Sequence, residues 1–80
     1  MTATNVRFGH AIRHFRAVRG WSQEMLAERA NLNRSYLGEV ERGIASPSLI
    51  TAGKLAQALG MRLSHLVDHF ERSAERRSEP

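Results

Sequence analysis

The run Asn33-Arg34-Ser35-Tyr36-Leu37-Gly38-Glu39 holds a forked cationic donor, a hydroxyl and a carboxylate within a few residues of one another. If the run is helical, Arg34, Ser35 and Glu39 face away from Leu37 and Val40, so one side offers hydrogen-bonding groups and the other is apolar. That is chemistry for recognition rather than for breaking bonds. Elsewhere, His10 and His14, and again His65 and His69, are four apart. On a helix, this spacing lets two imidazoles share a metal. Neither pair has a carboxylate or cysteine at motif spacing, so no metal is assigned. His10 and His14 read instead as solvated residues on the basic first helix, able to strengthen phosphate binding when charged. No nucleophile, base and orienting group can be picked out together, and no glycine-rich phosphate loop is present. The chain is expected not to be an enzyme and to need no cofactor.

The polar run is positioned by its neighbours. Ser22 is a good helix N-cap, and Leu26, Ala27 and Ala30 after it share one face. That helix should stop near Asn31, because asparagine tolerates the left-handed conformation that helix ends often need. Two residues later Asn33 can cap a second helix with Leu37 and Val40 inward. Helices joined by roughly three or four residues must cross steeply, which is helix-turn-helix geometry.

Around this pair the sequence predicts three more helices, with no segment of convincing period-two alternation. The first runs from about Asn5 to Val18, with Phe8, Ala11, Ile12, Phe15 and Val18 on its inner stripe. After a loop at 43–46, Pro47 holds Ser46 extended and Ser48 can cap a fourth helix. Leu49, Ala52, Leu55, Ala56 and Leu59 form its inner stripe, and Gly60 ends it. A fifth begins near Ser64, with Leu63, Leu66, Val67 and Phe70 at helical spacing. Beyond Phe70 the chain is charged and poor in apolar residues, either a helical extension or a disordered tail. The expected architecture is all-α: a five-helix bundle over 1–70, then a charged tail or extension over 71–80. Each helix is too short to be stable alone, so packing must hold the bundle together.

Eighty residues make one domain with a modest core, to which a second subunit would add buried surface. With no cysteine there is no disulfide framework, and a reducing cytoplasm is the compatible compartment. No stretch has the length of a membrane span and Met1 to Val6 lacks a secretory apolar run, so a soluble intracellular protein is expected. The formal charge of +4 is unevenly spread. Arg7, Arg13, Arg16 and Arg19 precede residue 22 with no acid among them, whereas acids and bases balance in 22–60 and in 61–80. A basic helix face is common in itself. Beside a helix-turn-helix it suits phosphate neutralisation, the main source of non-specific DNA affinity.

Several ordered segments together resemble the phage Cro and repressor (Cro/C1, or XRE) type of helix-turn-helix regulators, whose DNA-binding domain has the lambda repressor-like fold. They are Phe8-Gly9, Ile12, Phe15-Arg16, Gly20-Trp21-Ser22-Gln23, Leu26-Ala27, Tyr36-Leu37, Val40-Glu41-Arg42-Gly43, Pro47-Ser48-Leu49, Leu55-Ala56 and Ala58-Leu59-Gly60. One departure is Asn31, where the family usually has glycine. The resemblance implies base contacts from Arg34, Ser35 and Glu39, with Tyr36 either on DNA or half-buried in packing. Arg34 suits guanine O6 and N7, worth about 1–3 kcal/mol of discrimination, and Glu39 is either an acceptor for cytosine N4 or a simple exposed helical acid. Gly38 between them is either a close-approach position or a tolerated surface glycine. The resemblance also implies phosphate contacts from Ser22, Gln23, Asn33 and Arg42, helped by amides at the start of the second helix. In the family, an arginine late in the first helix pairs with the glutamate before the Arg-Gly step. Arg16 and Glu41 match those positions, and the implied pair is architectural.

The expected function is a sequence-specific DNA-binding transcription regulator, acting as a homodimer on a two-fold operator in double-stranded DNA. Its third helices would enter major grooves about 34–36 Å apart. Ile50, Met61, Leu66, Val67 and Phe70 are the expected dimer surface, although core packing accounts for them equally well. Length and the 33–43 region look similar to the short controller proteins of restriction-modification systems, with no ligand-sensing domain expected. The rival reading is an antitoxin or coactivator-like adaptor whose principal partner is a protein, contacted through Ile44, Ile50 and the tail.

Overall fold

The computed structural model describes residues 2–78, with side chains described through Arg72. It contains α1 (Ala3–Val18), α2 (Gln23–Ala30), α3 (Arg34–Glu41), α4 (Leu49–Ala58) and α5 (Leu63–Ser78), with no strand among the described residues. Polar caps set the helix starts. Thr2 Oγ1 accepts from the Asn5 amide at 3.1 Å, which begins α1 two residues earlier than the apolar stripe predicts. Ser22 and Ser48 cap α2 and α4 in the same way. At the end of α2, Asn31 takes φ 56° and ψ 48°, the left-handed state expected of it. Only Asn31, Leu32 and Asn33 separate α2 from α3.

α1 packs against α3 and α5, α2 against α3 and α4, and α4 against α5. The enclosed core is built around Ile12, Leu26, Leu37, Val40, Leu55, Leu59 and Leu66, all essentially inaccessible to solvent. Phe8 closes it from α1 with its ring edge-on to Phe70 of α5, centroids 5.9 Å apart. Burial of this apolar surface is the main force holding such short helices in place.

Two close approaches tie α1 to α3. A Cβ on Gly9 would lie 2.6 Å from the Glu41 carbonyl oxygen and collide with that of Val40, so the two backbones meet where α1 has no side chain. Gly43, at φ +77°, turns the chain out of α3 directly over Val6, with a Cβ position only 2.8 Å from Val6 Cγ2.

Two stripes extend further in sequence than in burial. Val18 is 67 % exposed and Leu49 is 76 % exposed, against the expectation that both face inward. Val18 is the last residue of α1 and Leu49 the first of α4, and a helical repeat continues past the length that neighbouring helices cover. The α5 backbone stays helical through Ser78, with no break at residue 70. Most of the expected 71–80 tail lies outside the residues whose side chains are described.

Candidate nucleic-acid interface

The α3 face opposite Leu37 and Val40 carries Arg34, Ser35 and Glu39, all exposed. Its start is set by Asn33, whose Oδ1 accepts from the amides of Ser35 (2.8 Å) and Tyr36 (3.3 Å). With Gln23 of α2 and Arg42 just past α3, these residues line a polar depression of about 260 Å³ whose floor is Gly38. Two guanidinium groups, a hydroxyl, an amide and a carboxylate therefore share one concave surface. Tyr36 is half-buried against the core rather than standing free.

Behind this surface lies a charged lock. Arg16 Nε donates to Glu41 Oε2 at 2.7 Å and Nη2 donates to Oε1 at 3.0 Å, while Nη1 donates to the Trp21 carbonyl at 2.9 Å. Gln23 Nε2 donates to Glu41 Oε1 at 2.9 Å. The pair thus binds α1, the turn before α2, α2 itself and α3 to one buried carboxylate. The hydrogen bond to Glu41, reinforced by its charge, raises the Arg16 pKa above its ordinary value despite partial burial, so the guanidinium stays charged. Bidentate geometry makes this a directional joint, which sets the tilt of α3 on the scaffold.

The structure adds a role for Gln23 that the sequence does not announce. Its side-chain amide nitrogen is committed to Glu41, and its oxygen lies beside Gly38 of α3, while the first backbone amides of α2 have no partner within the helix. Ser22 Oγ accepts from the Met25 amide at 3.1 Å, so its lone pair serves the cap. Trp21, just before α2, has a role that its sequence context does not show: the Arg29 guanidinium lies 4.5 Å and that of Arg19 5.9 Å from its ring centroid, so the ring gathers two cations at the α1–α2 corner.

The histidines group differently from the spacing. His14 of α1 stacks on His69 of α5, centroids 5.0 Å apart at 16°, and Phe15 packs edge-on to both. His14 is exposed, as the solvated reading expects, and its ring is also part of the α1–α5 contact. Among the described residues, no three histidines, cysteines or acids are gathered to hold a metal ion.

The expected dimer residues separate into three kinds. Leu66 is completely buried in the core, so it is removed from that surface. Met61 and Phe70 are half-buried and pack against the core, and Val67 is half-buried at the edge of an apolar hollow. Ile50 is 75 % exposed, and with Leu49 and Ile44 it gives the described surface its large exposed apolar groups near α4. Leu49 also rims an apolar hollow of about 240 Å³ reaching Phe8, Leu63, Val67 and Phe70. No helix among the described residues is long and apolar enough to cross a membrane.

Comparison with known proteins gives a consistent pattern. A family model described as Helix-turn-helix matches residues 12–66. The control protein C.BamHI of Bacillus amyloliquefaciens is 37 % identical over 67 residues, covering 80 % of this chain and 83 % of that protein. The immunity repressor protein of Bacillus phage phi105 is 46 % identical over 59 residues, which span 74 % of this chain but 41 % of the repressor. Among solved structures, the restriction-modification controller protein C.AhdI from Aeromonas hydrophila superposes with a TM-score of 0.79 at 45 % identity, covering 81 % of this chain and 98 % of that one.

Proposed function

The chain belongs to the Cro/C1-type helix-turn-helix family of DNA-binding transcription regulators, and from that premise we propose that it reads a specific operator in double-stranded DNA through α3. The observation that carries this is the depression formed by Gln23, Arg34, Ser35, Gly38, Glu39 and Arg42, which gathers base-reading and phosphate-binding chemistry on one concave surface. Arg34, Ser35 and Glu39 meet base edges, with Tyr36 at their margin. Ser22, Gln23, Asn33 and Arg42 meet the sugar-phosphate backbone and set the register. The four arginines of residues 1–21 add long-range attraction. The work is binding, and no catalytic step is assigned to the chain.

The same reading includes a homodimer on a two-fold site. Its support is the exposed Leu49 and Ile50 beside the apolar hollow, a combination that a lone small domain leaves unfavourably hydrated. Similarity to controller proteins of comparable length supports a regulator of that class.

The test is selection from a random-sequence duplex library, with recovered sites re-measured at two salt concentrations and the protein mass determined in solution. An enriched two-fold motif, a steep fall of affinity with salt and a dimer mass are the expected results. Weak binding without sequence preference would overturn the reading and favour the protein-adaptor alternative.

A further inference from the structure

Gly38 lies in the interior of α3 on the side away from the core, yet it is buried. What covers it is side chain from outside its own turn. A Cβ on Gly38 would sit 3.2 Å from Arg42 Nη1 and 3.7 Å from Gln23 Oε1, the first of these tighter than ordinary contact. Arg34, Gly38 and Arg42 are spaced by four, so they form one stripe along the helix. The Arg42 guanidinium therefore lies back across α3 toward Gln23, in a slot that exists because position 38 has no side chain.

The fold does not demand glycine there. At Gly9 an added methyl would strike backbone carbonyls, which cannot withdraw, whereas at Gly38 it would meet only the ends of two flexible side chains. The backbone at Gly38 is ordinary right-handed helix, and an interior glycine weakens a helix relative to alanine. A position that weakens the helix and is not required by packing calls for a reason in the surface it shapes.

We propose that Gly38 is a positioning residue for DNA binding: its missing side chain seats the Arg42 guanidinium beside Gln23, at the rim of the depression shared with Arg34. The inference rests on the regulator reading above and deepens it. Arg42 held in the slot presents its cation next to the start of α2, where the outward amides of the first turn also favour an anion, so one phosphate is gripped from both elements. Displacing this exposed guanidinium from beside Gln23 loses the preorganised contact.

The test uses the full chain and the operator duplex recovered by selection, with Gly38→Ala, Arg42→Ala and the double variant compared. Gly38→Ala is expected to raise the melting temperature, by up to about 4–8 °C, while weakening operator binding about tenfold. In the Arg42→Ala background the same substitution should change affinity by less than about twofold, because the group it positions is gone. Unchanged affinity for Gly38→Ala overturns the proposal. So does an equal loss in both backgrounds, which would mean that the methyl meets DNA directly, and so does a lowered melting temperature, which would make the glycine a requirement of the fold. A parent chain that selects no duplex overturns the regulator reading and this inference together. A parent that binds, with Gly38→Ala indistinguishable from it, overturns this inference alone.

Discussion

Arg16 and Glu41, 25 residues apart in the chain, meet through two parallel hydrogen bonds of 2.7 and 3.0 Å, with the carboxylate residue only 5 % exposed. The contact runs from the end of α1 to the end of α3, so it fixes α3 against the body of the domain. Removing one partner leaves the other charge poorly compensated in a nearly dry site. Arg16→Ala is expected to destabilise the fold by about 3 kcal/mol, at the lower end of the range for a buried pair because Arg16 keeps some solvent contact. Urea unfolding measures this directly, and an unchanged midpoint would show that Gln23 and water suffice for Glu41.

Glycine-to-alanine changes at two helical positions should have opposite signs. Gly9→Ala forces α1 away from the Val40 and Glu41 carbonyls and should cost about 1–3 kcal/mol, the usual range for overpacking. Gly53, inside α4, has open space where a Cβ would go, so Gly53→Ala should stabilise by up to about 1 kcal/mol. Paired thermal melts of the two variants decide it. Destabilisation by Gly53→Ala would refute the assignment of open space there.

Asn31 holds the left-handed conformation between α2 and α3. Asn31→Gly should be neutral or slightly stabilising, and Asn31→Ala should lose about 1 kcal/mol, because a Cβ branch without a polar side chain has no local compensation in that region. Equal melting temperatures for all three side chains would mean the turn relaxes to another backbone state.

On selected DNA, Arg34→Ala should relax preference at one base pair of each half-site, at about 1–3 kcal/mol of lost discrimination. Arg42→Ala should instead weaken all sequences alike and reduce the salt slope by about 1. Competition binding against a set of single-base operator variants separates the two patterns. Preference unchanged by Arg34→Ala would place the base-reading surface elsewhere.

For the apolar residues, Leu66→Ala should cost about 2–5 kcal/mol of monomer stability by opening a cavity. Ile50→Glu should leave the melting of the monomer within about 0.5 kcal/mol and shift the mass distribution toward monomer. Sedimentation at several concentrations reads the second effect. A dimer that survives Ile50→Glu would remove Ile50 from the interface.

What could be read in the residues themselves was local. Ser22, Asn33 and Ser48 as caps, Asn31 as a left-handed helix end, and Leu37 with Val40 as an inward pair each depend on a single helical turn, where side-chain type alone selects the backbone state. The five helices follow from the same short-range periodicity. The match of Arg16 to Glu41 came from family likeness, since nothing in their spacing implies contact. The tertiary structure alone decided where burial stops: Val18 and Leu49 continue their stripes beyond the cover of neighbouring helices, and Leu66 lies in the core rather than at an outer surface. It also decided that His14 stacks on His69 and that Gln23 turns its amide to Glu41. Each of these depends on the distance and angle between two helices. Such quantities are set by how all the side chains pack at once, and no local window of sequence contains them.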